Sequence, residues 1–279
     1  MKGVNKIRNG LFGLKLIGRV VKFISIEYIS HMGSKVNLKQ WNTTLRKAKN
    51  FVSSIFDKDR IQCVIIYGSS LNKNNINPKD IDILILLDKY ECGDMNVFNK
   101  KKSISNFEFF IDYKDQILRK GINNYQRGRH GAYFFKILAY GKCIIGSNFY
   151  LKNINKVSNN IVYRDLLFRI EEYFYRIQKH FLNNRRIDIV YIKKYILRII
   201  LDILLYYDLI NFTNFNDLHY TKLVDYCMKF SNIFSLDLLN KIRKLDRRNI
   251  NTLVPKIVEE LYNVYLLAFD QYNDKFKNK

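Results

Sequence analysis

Two aspartates, Asp80 and Asp82, open an apolar run that continues from Ile81 to Leu87. A matching apolar run, Ile61 to Tyr67, ends at Gly68-Ser69. The length and β-branched content of both runs make them strands. Side chains alternate along a strand, so Asp80 and Asp82 project from one face, about 7 Å apart along the chain. Nothing apolar sits comfortably between two carboxylates held that way, and their repulsion calls for a cation. Mg²⁺ suits the position, because it binds through one or two protein carboxylates together with substrate phosphates. Gly68 lets the backbone turn sharply and approach a ligand closely. Ser69 and the neighbouring N–H groups are then placed to hold phosphate oxygens as a backbone nest. The competing account of the same residues is a β-hairpin with a solvated polar loop and two surface aspartates.

The stretch Cys63 to Leu87 resembles the signature of the nucleotidyltransferase superfamily, which includes DNA polymerase β and the aminoglycoside nucleotidyltransferases. That signature is an apolar strand, Gly-Ser, a polar loop, and Asp-x-Asp on the next strand, here Gly68-Ser69 and Asp80-Ile81-Asp82. The resemblance implies a third carboxylate on a later strand. Phe107 to Tyr113 is the acidic strand at a suitable distance, and it offers Glu108 and Asp112 on one face. Glu108 is taken, because it sits earlier in the strand, where it can pair beside Asp80 and Asp82. The following Lys114-Asp115-Gln116 also resembles the polymerase β strand. Asp112 is the alternative, or else ends the strand by capping the turn into the next helix. Most polymerase-like relatives carry Asp at the third position, whereas Glu is familiar in the aminoglycoside enzymes. Many relatives carry an Arg soon after the Gly-Ser; this chain has Leu71, Asn72 and Lys73.

What the resemblance implies is transfer of a nucleoside monophosphate from an NTP, with ATP the expected donor, to an acceptor hydroxyl. Asp80, Asp82 and Glu108 would hold two Mg²⁺ ions. Gly68, Ser69, Ser70 and Lys73 form the expected nucleotide-binding set. The acceptor stays open between a small hydroxylated molecule, a protein hydroxyl and an RNA 3′ end. A catalytically idle nucleic-acid-binding relative is the reading outside enzymes.

Around these residues, the chain has 279 residues, enough for two domains, and an ordinary apolar share of 48%. Net charge is +23, from 48 Lys and Arg against 25 Asp and Glu. That balance suits polyanionic partners, nucleic acid among them, and says nothing of sequence recognition. Four scattered cysteines, Cys63, Cys92, Cys143 and Cys227, form no CxxC pair, which suits a reducing, cytoplasmic compartment without a zinc site. The first fifty residues carry eleven Lys or Arg and one acid, Glu27. Within them Leu11 to Ile26 reads as a basic amphipathic helix: packed on the body, bound to membrane or nucleic acid, or a transit peptide for organellar import. Its apolar stretches are too short and too broken by charge to span a membrane.

The positioning elements follow in order. Leu38, Trp41, Leu45, Ala48, Val52 and Ile55 recur at helical spacing and predict a helix over 37–56 that covers one sheet face. Residues 88–105 read as turns with a solvated Lys100-Lys101-Lys102 run. Residues 121–140 read as mostly helical, with Arg127 and Arg129 near its start, and 141–146 as a short strand. Beyond residue 157 the pattern is helical. Leu166, Leu167, Ile170, Tyr173, Phe174, Ile177 and Phe181 make one stripe. Ile187 to Leu209 is a central helix in which Arg198 and Asp202 can pair one turn apart. Further helices are expected over 217–230, 236–247 and 253–276, the last with Pro255 in its first turn. The expected class is α+β: a small mixed sheet with flanking helices, then an all-helical domain. The expected division is a basic arm (1–36), a nucleotidyltransferase domain (37–157) and a helical bundle (158–279).

Overall fold

Cys63–Tyr67 and Ile83–Leu87 are buried without a break, the mark of strands covered on both faces. They lie at the centre of a four-stranded sheet: β1 (Ile61–Tyr67), β2 (Ile81–Leu87), β3 (Phe107–Tyr113) and β4 (Lys142–Gly146). The spatial order is β3-β2-β1-β4. β1 runs antiparallel to β2 and β4, and β2 runs parallel to β3. The computed structural model describes residues 38–71, 81–101, 107–125, 130–183, 187–212 and 220–276. Thr43–Lys279 make one compact unit and Met1–Asn42 another, of which only residues 38–42 are described. The amphipathic helix expected between Leu11 and Ile26 lies outside the described residues.

One sheet face is covered by α1 (Leu38–Ile55) and α2 (Asp94–Lys101). Phe51 of α1 stacks on Phe109 of β3 at 4.7 Å, and Phe98 of α2 meets both rings edge-on. The helix α2 corrects the reading of residues 88–105 as turns. No apolar stripe announces it. Asp94 anchors its start instead, taking two hydrogen bonds from Arg60 at 2.8 and 2.9 Å and one from the Glu91 N–H. Burial of Phe98 then holds the helix down.

On the other face, Cys63, Ile65, Tyr67, Leu84 and Leu86 join one continuous core with the helices that follow. These are α3 (Lys114–Lys120), α4 (Gly131–Ala139), α5 (Phe149–Lys152), α6 (Asn159–Asn183), α7 (Ile189–Tyr206), α8 (Tyr220–Cys227), α9 (Leu236–Lys244) and α10 (Ile250–Phe276). Residues 121–140 are less helical than their pattern suggests: a 3₁₀ turn at Ile122–Asn124 precedes α4, and 126–129 lie outside the described residues. The class is the expected one, a mixed α+β sheet with flanking helices followed by an all-helical region. No helix among the described residues is long and apolar enough to cross a membrane.

Caps define the helix starts. Asp188 accepts from Val190 and Tyr191 N–H at the head of α7, and Ser235 accepts from Leu238 N–H at α9. The last helix begins at Ile250, earlier than its apolar pattern, because the Asn249 carbonyl accepts from Thr252 and Leu253 N–H. Pro255 therefore sits in the second turn, not the first.

The buried carboxylate of Asp202 feels the charge of Arg198 along α7, but its hydrogen bonds come from another helix. It receives Arg169 of α6, with Nε at 2.9 Å, and both side chains are buried. The Arg169 guanidinium also lies 3.5 Å from the ring centre of Tyr133 in α4. Arg198 also lies near the rings of Tyr173 and Tyr195, at 5.7 and 5.5 Å. The cross-helix pair thus ties α4, α6 and α7 together. Arg169→Ala strands a buried charge, and an unfolding free energy lower by about 3–5 kcal/mol is expected. Denaturant melts check this, and an unchanged midpoint would show that the pair is not what holds these helices.

Candidate active site

The site is built where β1 gives out. Tyr67 is the last strand residue, and Gly68 starts a 3₁₀ turn that runs to Leu71. Gly68 has φ +79°, the left-handed region that glycine occupies without penalty. Space demands glycine as well. A Cβ placed there would come within 2.7 Å of the Asp82 Oδ2 atom, so the backbone turn and the carboxylate are packed against each other.

Strand pairing carries the line onward. Tyr67 is the partner of Asp82 across β1 and β2, and Asp82 is the partner of Glu108 across β2 and β3. Paired residues in adjacent strands share a face, with backbones about 4.8 Å apart. Asp82 and Glu108 therefore stand side by side. They share their face with Leu84, Leu86 and Phe110, which the helices cover further along. Asp82 is half-buried and Glu108 exposed.

The other candidates divide. Ser69 and Ser70 follow Gly68 directly in the turn. Asp80 and Lys73 lie outside the described residues, as do Arg127 and Arg129. Among the described residues no three His, Cys, Asp or Glu side chains converge. Asp82 and Glu108 are paired across β2 and β3, and carboxylate oxygen is the donor type Mg²⁺ takes.

Asp112 has a different setting from Glu108. Its Oδ2 accepts hydrogen bonds from the hydroxyls of Tyr125, at 2.5 Å, and Tyr150, at 2.7 Å. Tyr150 is fully buried, and burial, reinforced by Tyr125 and the Asp112 charge, pushes its phenol well above the usual range. It therefore stays a neutral donor to the carboxylate. Asp112 neither reaches the Gly68 corner in register nor caps the start of α3: it is the partner of Leu86, four residues along β3 from Glu108. The sequence reading did not foresee this tyrosine pair. Beneath the same face, burial pushes the Cys63 thiol up to about 12, as expected of a core cysteine.

Neither protein-family models nor curated proteins match this sequence. Among solved structures, the chain is similar to spectinomycin adenyltransferase AAD(9) from Enterococcus faecialis, whose structure contains ATP and spectinomycin. The likeness covers 78% of this chain and 99% of that one, at 12% identity and a TM-score of 0.49.

Proposed function

We propose that the chain is a metal-dependent nucleotidyltransferase of the superfamily its Gly-Ser and Asp-x-Asp residues resemble. It would move a nucleoside monophosphate from an NTP, ATP the expected donor, to an acceptor hydroxyl on a small molecule or a protein. The observation that carries this reading is the packing of Gly68 against the Asp82 carboxylate, with Glu108 beside it in register. A solvated hairpin has no use for a carboxylate pressed onto its turn, or for a third strand that brings a second carboxylate alongside.

In this reading Asp80, Asp82 and Glu108 would hold two Mg²⁺ ions. Bound there, the ions would lower the pKa of the attacking hydroxyl and neutralise charge on the leaving pyrophosphate. The turn from Gly68 holds phosphate oxygens through its N–H groups and through Ser69 and Ser70, with Lys73 adding charge from the loop. The side-by-side carboxylates on rigid strands fix the direction from which an acceptor approaches. The helices from α6 onward would shape the acceptor side of the site, as a domain beyond residue 157.

An RNA 3′ end as acceptor is the second reading, favoured by the net charge of +23. Incubation with each labelled NTP and Mg²⁺, in the presence of RNA, cell protein or small metabolites, tests both. Label is expected in one pool, which names the acceptor class. Label in none, with metal present, would remove the enzyme reading and leave a nucleic-acid-binding protein.

A further inference from the structure

A cleft of about 710 Å³ opens between the N-terminal end of α4 and one face of α6. No residue of the Gly68, Asp82 and Glu108 corner lines it. Tyr125 does, and its hydroxyl is bonded to Asp112, about 13 Å along β3 from Glu108.

The cleft wall is rich in acceptors. Phe168, Glu171, Glu172 and Tyr175 follow a three-, four- and seven-residue spacing, so they form one stripe of α6, and all four line the cleft. Glu171 is held by the Tyr265 hydroxyl of α10. Glu172 is held by Arg176 and by His130 Nε2 at 3.1 Å. Burial works against its charge, but those hydrogen bonds outweigh it and hold the carboxyl below the usual range. His130 is only 7% exposed, and its Nδ1 is buried with no hydrogen-bond partner among the described residues. Asp165 closes the floor by accepting from Ala132 and Tyr133 N–H at the start of α4. Arg164, the Lys or Arg among the described lining residues, stands 3.6 Å from Asp165.

The rim is aromatic. Phe168 is 46% exposed and Tyr175 62%, so neither ring is spent on the core. Exposed rings on either side of carboxylates attract an organic cation, through the ring faces and the charge together. Water alone would satisfy the carboxylates but gains nothing from the rings.

We propose that this cleft is a binding site for an alkylammonium group, seated over Glu171 between Phe168 and Tyr175 and donating N–H bonds to the acceptors of the wall. The group comes either from a free polyamine or from a lysine side chain of a polypeptide. The site stands independently of the transferase reading. A chain of net charge +23 repels cations on average, so a cation that binds it needs a built site.

Titration calorimetry of the full chain with spermidine, and separately with N-acetyl-lysine methylamide, tests this without nucleotide or metal. Saturable one-to-one binding of at least one of them is expected. Glu171→Gln, and the pair Phe168→Ala with Tyr175→Ala, should each weaken it by about tenfold. Those side chains are exposed or keep an acceptor for Tyr265, so melting temperatures should match the parent and loss of binding will not reflect unfolding. Tighter spermidine assigns the site to free polyamines, and tighter lysine amide to polypeptides. No heat from either at millimolar concentration, or affinities unchanged in both variants, overturns the proposal.

Discussion

Gly68→Ala is expected to cut nucleotidyl transfer on the order of 10²-fold or more, far beyond its effect on folding. Two costs meet at this position. An alanine at φ +79° pays about 1–2 kcal/mol for the left-handed backbone. Its Cβ would also stand 2.7 Å from Asp82 Oδ2, so either the turn or the carboxylate must shift. A unit of this size loses about 2–4 °C of melting temperature per kcal/mol, so the protein stays folded at assay temperature. The carboxylate, however, is moved relative to Glu108 and to the turn that would hold phosphates, and a displacement of about 1 Å is enough to cost two orders of magnitude. Label transfer and a thermal melt on the same preparation check this. Parent-like transfer by Gly68→Ala would mean that contact between turn and carboxylate has no part in the chemistry.

The second large effect separates Glu108 from Asp112. Glu108→Gln removes an exposed charge with no buried partner among the described residues to orphan, so stability is expected to hold while transfer falls by about 10²–10³-fold. Asp112→Ala should do the reverse. It deprives the buried Tyr125 and Tyr150 hydroxyls of their acceptor, at about 1–3 kcal/mol for each orphaned group. Stability then falls by about 2–6 kcal/mol, while activity per folded molecule is retained. Chemical denaturation paired with active-fraction-corrected kinetics reads both quantities. If Asp112→Asn abolishes transfer and Glu108→Gln does not, the third carboxylate is Asp112 and the register argument is wrong.

These assignments trace to what a linear chain can and cannot encode locally. The strands 61–67, 81–87 and 107–113 were legible to the residue, because short runs rich in β-branched and aromatic residues have few other solutions. Asp80, Asp82 and Gly68 stood out for the same reason: charged or conformationally special residues at strand ends are conspicuous in an apolar context. The helix at 94–101 was not legible. It depends on Arg60 reaching Asp94 and on one phenylalanine, Phe98, closing against Phe51 and Phe109. The hydrogen-bond partner of Asp202 was not legible for a related reason. Arg198, one turn away, is the partner that helix spacing suggests, whereas Arg169 becomes available only when α6 packs on α7.

The amino-acid order alone therefore set the strands, the glycine bend and the identity of the acidic residues, since each depends on neighbours within a few positions. Which acid stands beside which was decided only by folding. The parallel pairing of β2 with β3 brings Glu108 to Asp82, and the hydroxyls of Tyr125 and Tyr150, 13 and 38 residues away, claim Asp112. Strand register and side-chain partnership across such separations are settled by packing of the whole core, and no local pattern carries them.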